Sequence, residues 1–358
     1  MKILTKYLIK EFFKLLLITQ SVFITIYLIV DFLQKIDNFM EAHATKGAML
    51  AYFLYKTPYV GIQMIPVATL ISVILMFCLM KKNNELIALK ASGMSVLKIS
   101  LPVIYVSAGL TIAVFIISEL IVPYASSKSQ SVWYSAVKKK SHKRLYERSH
   151  IWYKGTNSIY GIQHFNEKQM IMHKPALYFF DDTFHLTKRI QAQKAVWSEN
   201  KWILKQGIIQ TPLPGGGYNL KKFEALQADI PETPETFLKP VKRPEEMSYW
   251  QLKRFAETVR LEGYDVTKYL VEMNIKLSFP VINLVMALIG IPIALRINKG
   301  GTAFAVTVGV GACFCYLVTL GITRSLGISG IMPPEFSAWL ANIIFFLLSV
   351  YLITRIET

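Results

Sequence analysis

Cysteine, histidine and lysine are the side chains here with chemistry to offer, and spacing disposes of most of it. Cys78, Cys313 and Cys315 all lie inside apolar runs. The last two flank Phe314, and residues two apart on a helix project in different directions, so they do not aim two thiolates at one metal. They read as small, polarizable packing residues. His142, His150, His164, His173 and His185 share one polar stretch without a His-Glu-x-x-His or comparable ligand spacing, and read as ordinary strand-surface histidines. No glycine-rich loop ends in Gly-Lys-Ser/Thr, so the chain has no nucleotide-hydrolysing P-loop of its own. No catalytic residue, metal or cofactor is expected, and any ATP must be hydrolysed by a partner.

The lysines and arginines carry the remaining signal. The formal net charge is +17, but the basic residues are spread over loops with no recognisable nucleic-acid module. Anionic lipid accounts for them more simply. With 53% hydrophobic and only 18% charged residues in 358, there is more apolar surface than a water-soluble fold of this length buries. Mean hydropathy is +0.37.

A bilayer core about 30 Å thick takes roughly 20 apolar residues in helix. Six stretches qualify: 15–30, 57–80, 99–118, 277–295, 300–323 and 336–354. Pro58, Pro66, Pro102, Pro280 and Pro292 in or near them predict kinks rather than breaks. The small residues Gly300, Gly301, Gly309, Gly311 and Ala312 suggest close helix packing. Within the spans proper there is essentially no buried carboxylate or histidine, only Asp31 and Glu119 near ends on the external side, which argues against an ion-coupled carrier.

Short-loop basic residues set the orientation. Lys2, Lys6, Lys10, Lys14, Lys81, Lys82, Lys90, Lys98, Arg296, Lys299 and Arg355 fall on one side, which places both termini in the cytoplasm. Lys35, Lys46, Lys56 and Arg324 fall on the other, at or near headgroup level, as candidate contacts for the phosphates of an anionic lipid. The polar block after the third span then lies outside.

Within that block, from about His150 to Leu226, short aromatic and β-branched runs alternate with turn signals. The expected fold class is therefore an α-helical polytopic membrane protein with six transmembrane helices and an inserted all-β, sandwich or jelly-roll-like external domain. Residues 1–125 hold the first three spans, 126–246 the β domain and a proline-rich linker, and 247–358 a connecting helix and the last three spans. Ser248 with Gln251 reads as a capping box opening that helix, and Gly263 as its close. Lys138 to Arg148 is a basic run that reads as a solvated surface.

Between the second and third spans, ELIALKASG from Glu85 to Gly93 has a capping Asn83 or Asn84 before it, an acidic first turn, Leu86 and Leu89 on one face, and a terminating glycine. It predicts a short helix along the membrane surface, within residues 83–93. Here the sequence resembles the LptF/LptG permeases of bacterial lipopolysaccharide export, whose coupling helix has an acidic residue, an apolar stretch and a final Ala-Ser/Cys-Gly. The resemblance continues through SELIVP from Ser118 to Pro123, through Met273 to Lys276, and through Pro333 and Pro334, with the LptG branch favoured.

What the resemblance implies is a heterodimer with an LptF-like second permease on a dimeric, LptB-like cytoplasmic ATPase in the inner membrane. That assembly would extract lipopolysaccharide and pass it through a periplasmic β-jelly roll to LptC- and LptA-like bridge proteins. Glu85, Leu86, Ala88, Leu89 and Gly93 would form the ATPase-coupling surface. Lys35 matches a family segment that meets substrate phosphates. The chain departs from the family where a common lysine is Tyr59, with Lys56 offset from it, and where an arginine is Gln130. The alternatives are another ABC-type exporter, moving lipoproteins or peptides, and a non-transport membrane scaffold. Copurification with an ATPase separates them.

Overall fold

The computed structural model describes residues 2–137, 151–154, 157–166, 170–181, 183–198, 201–213, 216–228, 230, 233–234, 244–261, 265–296 and 301–355. The basic run 138–148, His142, His150, Gly263, Lys299 and Gly300 lie outside them. The chain divides into two compact units, one of residues 1–137, 243–257 and 265–358, the other of 138–242 and 258–264.

The first unit is helical: α1 (Lys2–Glu41), α2 (Lys46–Lys82), α3 (Glu85–Ala91), α4 (Val96–Leu120), α5 (Val122–Ala136), α6 (Tyr249–Leu261, of which residues 249–257 belong to this unit), α7 (Thr267–Arg296), α8 (Gly301–Ile328) and α9 (Pro334–Thr354). Six of these, α1, α2, α4, α7, α8 and α9, are long and apolar enough to cross a membrane. They extend past the charge-free stretches because polar end residues still satisfy helical hydrogen bonds; α1 has 40 residues, about 60 Å at 1.5 Å each. Pro58 and Pro66 sit inside an uninterrupted α2.

α2 and α7 form the centre. Their most apolar windows are 67% and 72% buried, against 22% for both α1 and α8. In water that arrangement would strand a wide apolar surface, so the exposed Ile18, Val22 and Ile26 of α1 and Phe304, Phe314 and Ile322 of α8 suit hydrocarbon or another helix. Close approach rests on glycines. A Cβ on Gly290 of α7 would stand 3.1 Å from Val73 Cγ1, and one on Gly309 of α8 would stand 2.4 Å from Ile74 Cδ1. The expected packing role therefore holds at Gly309, whereas Gly311 faces open space, and Gly290 joins the set from outside the series.

Polar side chains bridge the apolar interfaces. Tyr316 Oη donates to Asn342 Oδ1 at 2.8 Å and Asn342 Nδ2 to the Ser278 carbonyl at 2.8 Å, tying α8, α9 and α7 together. On α6 the capping box is present: Gln251 N–H donates to Ser248 Oγ, and Ser248 N–H to Gln251 Oε1, both at 3.2 Å. Tyr249 N–H meanwhile donates to Glu119 Oε1 of α4 at 2.7 Å.

The second unit contains a six-stranded antiparallel sheet: β1 (Ile151–Lys154), β2 (Ser158–Asn166), β3 (Ile171–Phe180), β4 (Leu186–Ser198), β5 (Lys201–Pro212) and β6 (Tyr218–Ala228). Each strand pairs with its sequence neighbour, so among the described residues the sheet is a meander, without the Greek-key crossovers of a two-sheet jelly roll. It still encloses a core. Phe165 of β2 and Trp202 of β5 stand three strands apart, roughly 14 Å in a flat sheet, yet their ring centroids are 6.2 Å apart. The sheet therefore folds over itself and buries Tyr160, Leu177, Trp202 and Leu204. At the β3–β4 turn Asp181 Oδ1 accepts from His185 N–H (2.7 Å), Thr183 Oγ1 (2.8 Å) and Thr183 N–H (3.0 Å), which hold its carboxyl below the usual aspartate range.

Candidate functional site

Two polar stations sit on the α1–α2 pair, near its opposite ends. The first is built from two i, i+4 pairs: Asp31 with Lys35 on α1, and Tyr52 with Lys56 on α2. The helix period puts each pair on one face, and the hairpin turns the faces together. Lys35 Nζ donates to Asp31 Oδ1 and to Tyr52 Oη, both at 2.6 Å. Lys56 Nζ donates to Asp31 Oδ1 at 2.8 Å and Oδ2 at 2.7 Å. Asp31 is buried, a tolerable place for a carboxylate only because two ammonium groups meet it.

Aromatic rings wall this cluster. Lys35 Nζ lies 5.0 Å from the Tyr52 ring centre and 5.6 Å from that of Trp133, and Lys56 Nζ 5.6 Å from that of Tyr27. Trp133 stacks edge-on against Phe39 at 5.2 Å, which fixes α5 across the end of the hairpin. The lysines line a cavity of about 280 Å³ shared with Tyr59, Gln130, Glu245 and Glu246. Tyr59 and Gln130, the departures from the family pattern, thus border the same space as Lys56. Counting Asp31, three carboxylates stand against two ammonium groups, so any anion entering the cavity would have to compete with the chain's own Asp31.

The structure gathers Lys35 and Lys56 but not the other two basic candidates. Lys46 is exposed in the first turn of α2. Arg324 donates from Nε at 2.9 Å, and also from Nη2, to Glu272 Oε1, beside a second cavity. Sequence reading missed Tyr52, Trp133 and the Glu245–Glu246 turn. The spacing of Tyr52 to Lys56 signalled a shared face; the others arrive through tertiary packing.

The second station is α3. Asn84 begins it in a left-handed conformation (φ 62°), which asparagine tolerates, but neither it nor Asn83 supplies a side-chain cap there. Glu85 in the first turn complements the helix dipole and accepts from Tyr7 Oη of α1 at 2.9 Å. Leu86 is buried and Leu89 packs beside it on the helical core, while Ile87 and Ala88 face outward. At the far end Gly93 (φ 81°) closes a Schellman motif, its N–H bonded to the Lys90 carbonyl at 2.9 Å and Met94 N–H to the Leu89 carbonyl at 3.2 Å. A non-glycine residue there would be strained.

Tyr7 and Asp31 are twenty-four residues apart on one helix, about 36 Å. That spacing slightly exceeds a bilayer core, so the stations belong to opposite membrane faces. The helical unit thus carries a short helix near one end of the α1–α2 pair and a lysine-bearing cavity near the other.

Residues 6–355 match the family described as lipopolysaccharide export system permease LptF/LptG. The chain is also similar to the lipopolysaccharide export system permease protein LptG of Escherichia coli strain K12, 22% identical over 362 residues covering 99% of this chain and 98% of that one. The protein of the same name from Escherichia coli O6:H1 matches to the same extent. Spanning all six membrane helices and the β domain between them, these likenesses show that the chain belongs to the LptF/LptG family of lipopolysaccharide export system permeases.

Proposed function

We propose that this chain is a permease subunit of an ATP-driven transporter that extracts lipopolysaccharide from the inner membrane and delivers it to a periplasmic bridge. The carrying observation is the pairing of stations along α1, with Glu85 of α3 near one end and the Asp31–Lys35–Lys56 cluster near the other. In this reading α3 rests in a groove of a dimeric, LptB-like ATPase through Glu85, Leu86, Ala88, Leu89 and Gly93. Lys35 and Lys56 receive lipid A phosphates, while Lys46 and Arg324 add to the basic potential at that level.

The exposed apolar faces of α1 and α8 receive an LptF-like second permease and the substrate's acyl chains. The β unit lies in the periplasm, where β1 and β6, the edge strands among the described residues, receive LptC- and LptA-like jelly rolls by strand addition. Both termini are cytoplasmic.

The test is photocrosslinking in membranes from positions 59 and 130, which border the lysine cavity. Lipopolysaccharide adducts that rise with ATP are expected. Crosslinks to neighbouring helices only, with unimpaired export by Lys35→Glu, would leave the lysines as simple helix anchors. For topology, in a Cys315→Ser background, a cysteine at Lys201 should label in whole cells and one at Asn84 should not; the reverse result inverts the chain.

A further inference from the structure

The second cavity, about 350 Å³, lies within the helical unit between α2, α7 and α8, next to the ends of α4 and α5. Its lining changes character along the helix axes. On α8, Leu317, Leu320 and Arg324 share one face at i, i+3 and i+7, and on α7 Phe279, Lys276 and Glu272 do the same in the opposite chain direction. The helices are joined at their charged ends by the Arg324–Glu272 ion pair. One end of the cavity is therefore hydrocarbon-like, with Ile62 adding to it, and the other is charged.

The charged end is balanced yet not satisfied. Arg324 and Lys276 oppose Glu272 and Glu245 around the lining, a sum of zero. Arg324 and Glu272 spend their charge on each other. Lys276 makes no hydrogen bond or ion pair among the described residues, and the carboxylates that act on it, Glu119, Glu245 and Glu272, do so from beyond contact. Just outside the lining, Glu119 Oε2 is buried without a hydrogen-bond partner among the described residues, and Glu245 is exposed at the rim. A half-buried ammonium with no anion in contact is costly, and a ligand that brings an anion to Lys276 supplies what it lacks.

We infer that this cavity is a site for a zwitterionic glycerophospholipid, whose phosphodiester meets Lys276, whose headgroup ammonium meets the carboxylate of Glu245, and whose acyl chain lies along Phe279, Leu317 and Leu320. An uncharged amphiphile leaves Lys276 without an anion. A lipid of net negative charge meets Lys276 but is repelled by Glu245, and offers it nothing. The site is separate from the lysine cavity of α1 and α2, although Tyr59 and Glu245 border both. It would hold a resident lipid between α7 and α8 rather than the exported one.

The test uses the full-length protein in detergent, equilibrated with equal amounts of phosphatidylethanolamine, phosphatidylglycerol and lipopolysaccharide of defined mass, then examined by native mass spectrometry. Wild type should retain one phosphatidylethanolamine per chain with about tenfold preference over phosphatidylglycerol, the scale of one hydrogen bond to a charged group. Lys276→Met should abolish retention of both phospholipids, and Glu245→Gln should remove the preference while keeping phosphatidylglycerol. Gly321→Leu, which fills the cavity from a position whose Cβ meets nothing within 4 Å, should abolish retention with the unfolding temperature preserved.

Soluble glycerophosphoethanolamine should not compete; if it does, a free headgroup and not a lipid is the ligand. Equal retention of both phospholipids by wild type, retention unaffected by Lys276→Met and Gly321→Leu, or displacement of phosphatidylethanolamine by lipopolysaccharide at this site would each overturn the inference. Loss of lipopolysaccharide crosslinking from positions 59 and 130 alone would strike the transport reading and leave this one standing.

Discussion

Replacing Lys56 by methionine keeps most of the side-chain volume and deletes the ammonium, so the loss can be read from its contacts. Lys56 supplies both Asp31 oxygens, and it is the sole donor to Oδ2 among the described residues. Without it Asp31 keeps Lys35 on Oδ1, while Oδ2 sits on a side chain only 9% exposed with no donor. An unmet charged acceptor in such a place costs about 1.5–3 kcal/mol. Lys35→Met is milder, since Lys56 still serves both oxygens and Lys35 is the more exposed lysine; about 1 kcal/mol is expected.

Asp31→Asn is the harshest of the three, because two ammonium groups then share a half-buried site without the carboxylate that contacts both, at about 3–5 kcal/mol. Thermal unfolding in detergent, followed by a thiol-reactive dye that reports release of the buried Cys78 and Cys313, gives the ranking directly. The expected order of stability is wild type, Lys35→Met, Lys56→Met, Asp31→Asn, with the two lysine variants separated by several degrees. Asp31→Asn should also bind lipopolysaccharide more tightly per folded molecule, having lost the internal competitor. Equal destabilisation by the two lysine variants, or a neutral Asp31→Asn, would refute the view that Asp31 is the hub.

Glu85→Lys should insert normally but fail to couple ATP hydrolysis to export, since charge reversal against a basic groove is worth roughly 4 kcal/mol at 4 Å and an effective dielectric near 20. Glu85→Gln keeps an acceptor for Tyr7 and should lose coupling only in part; normal lipid export by the lysine variant excludes the docking role. Gly327→Ala would place a methyl 2.1 Å from Ser337 Oγ, so about 1–3 kcal/mol of stability should be lost. Gly311→Ala, facing open space, should be neutral or favourable by up to about 1 kcal/mol in the same unfolding assay.

The Asp181 turn should respond to acid. Its carboxyl is depressed in the folded state, so its contribution is complete above the unfolded value of about 3.9 and disappears as pH falls through the lower folded value. Hydrogen exchange at 183–186 should accelerate, beyond the intrinsic pH dependence, only below about pH 4, and Asp181→Asn should abolish that step.

The span cores were legible because apolar runs of this length have one cheap solution in a bilayer. Their ends were not, since Lys2 to Lys14 and Phe32 to Glu41 continue α1 on local helical preference that hydropathy does not register. In the β unit, β2 and β5 announced themselves through aromatic and β-branched residues. β4 offers an aromatic and β-branched run only at Ala195 to Trp197, and Lys188, Arg189 and Lys194 break up the alternation along the rest of it. The meander order, and the fold-over that seats Trp202 against Phe165, depend on register and curvature, to which no short pattern corresponds. At the site, Asp31 with Lys35 and Tyr52 with Lys56 carried a readable helical spacing. That they meet each other, and that Trp133 and Glu246 close on them, belongs to packing between helices far apart in sequence.

Unlike its neighbour, α1 contains neither glycine nor proline anywhere along its 40 residues, whereas α2 carries Gly47, Pro58, Gly61 and Pro66. A helix of that composition is a torsionally stiff shaft beside a strip that can bend. Twisting the end that holds Tyr7 must turn Asp31 and Lys35 through nearly the same angle, while α2 yields at its prolines and lets Lys56 lag behind. The hub contacts would then shear rather than stretch. One residue inserted midway along α1 offsets its two ends by about 100°, so the length of this helix, and not only its composition, sets the phase between the station at Glu85 and the lysines about 36 Å away.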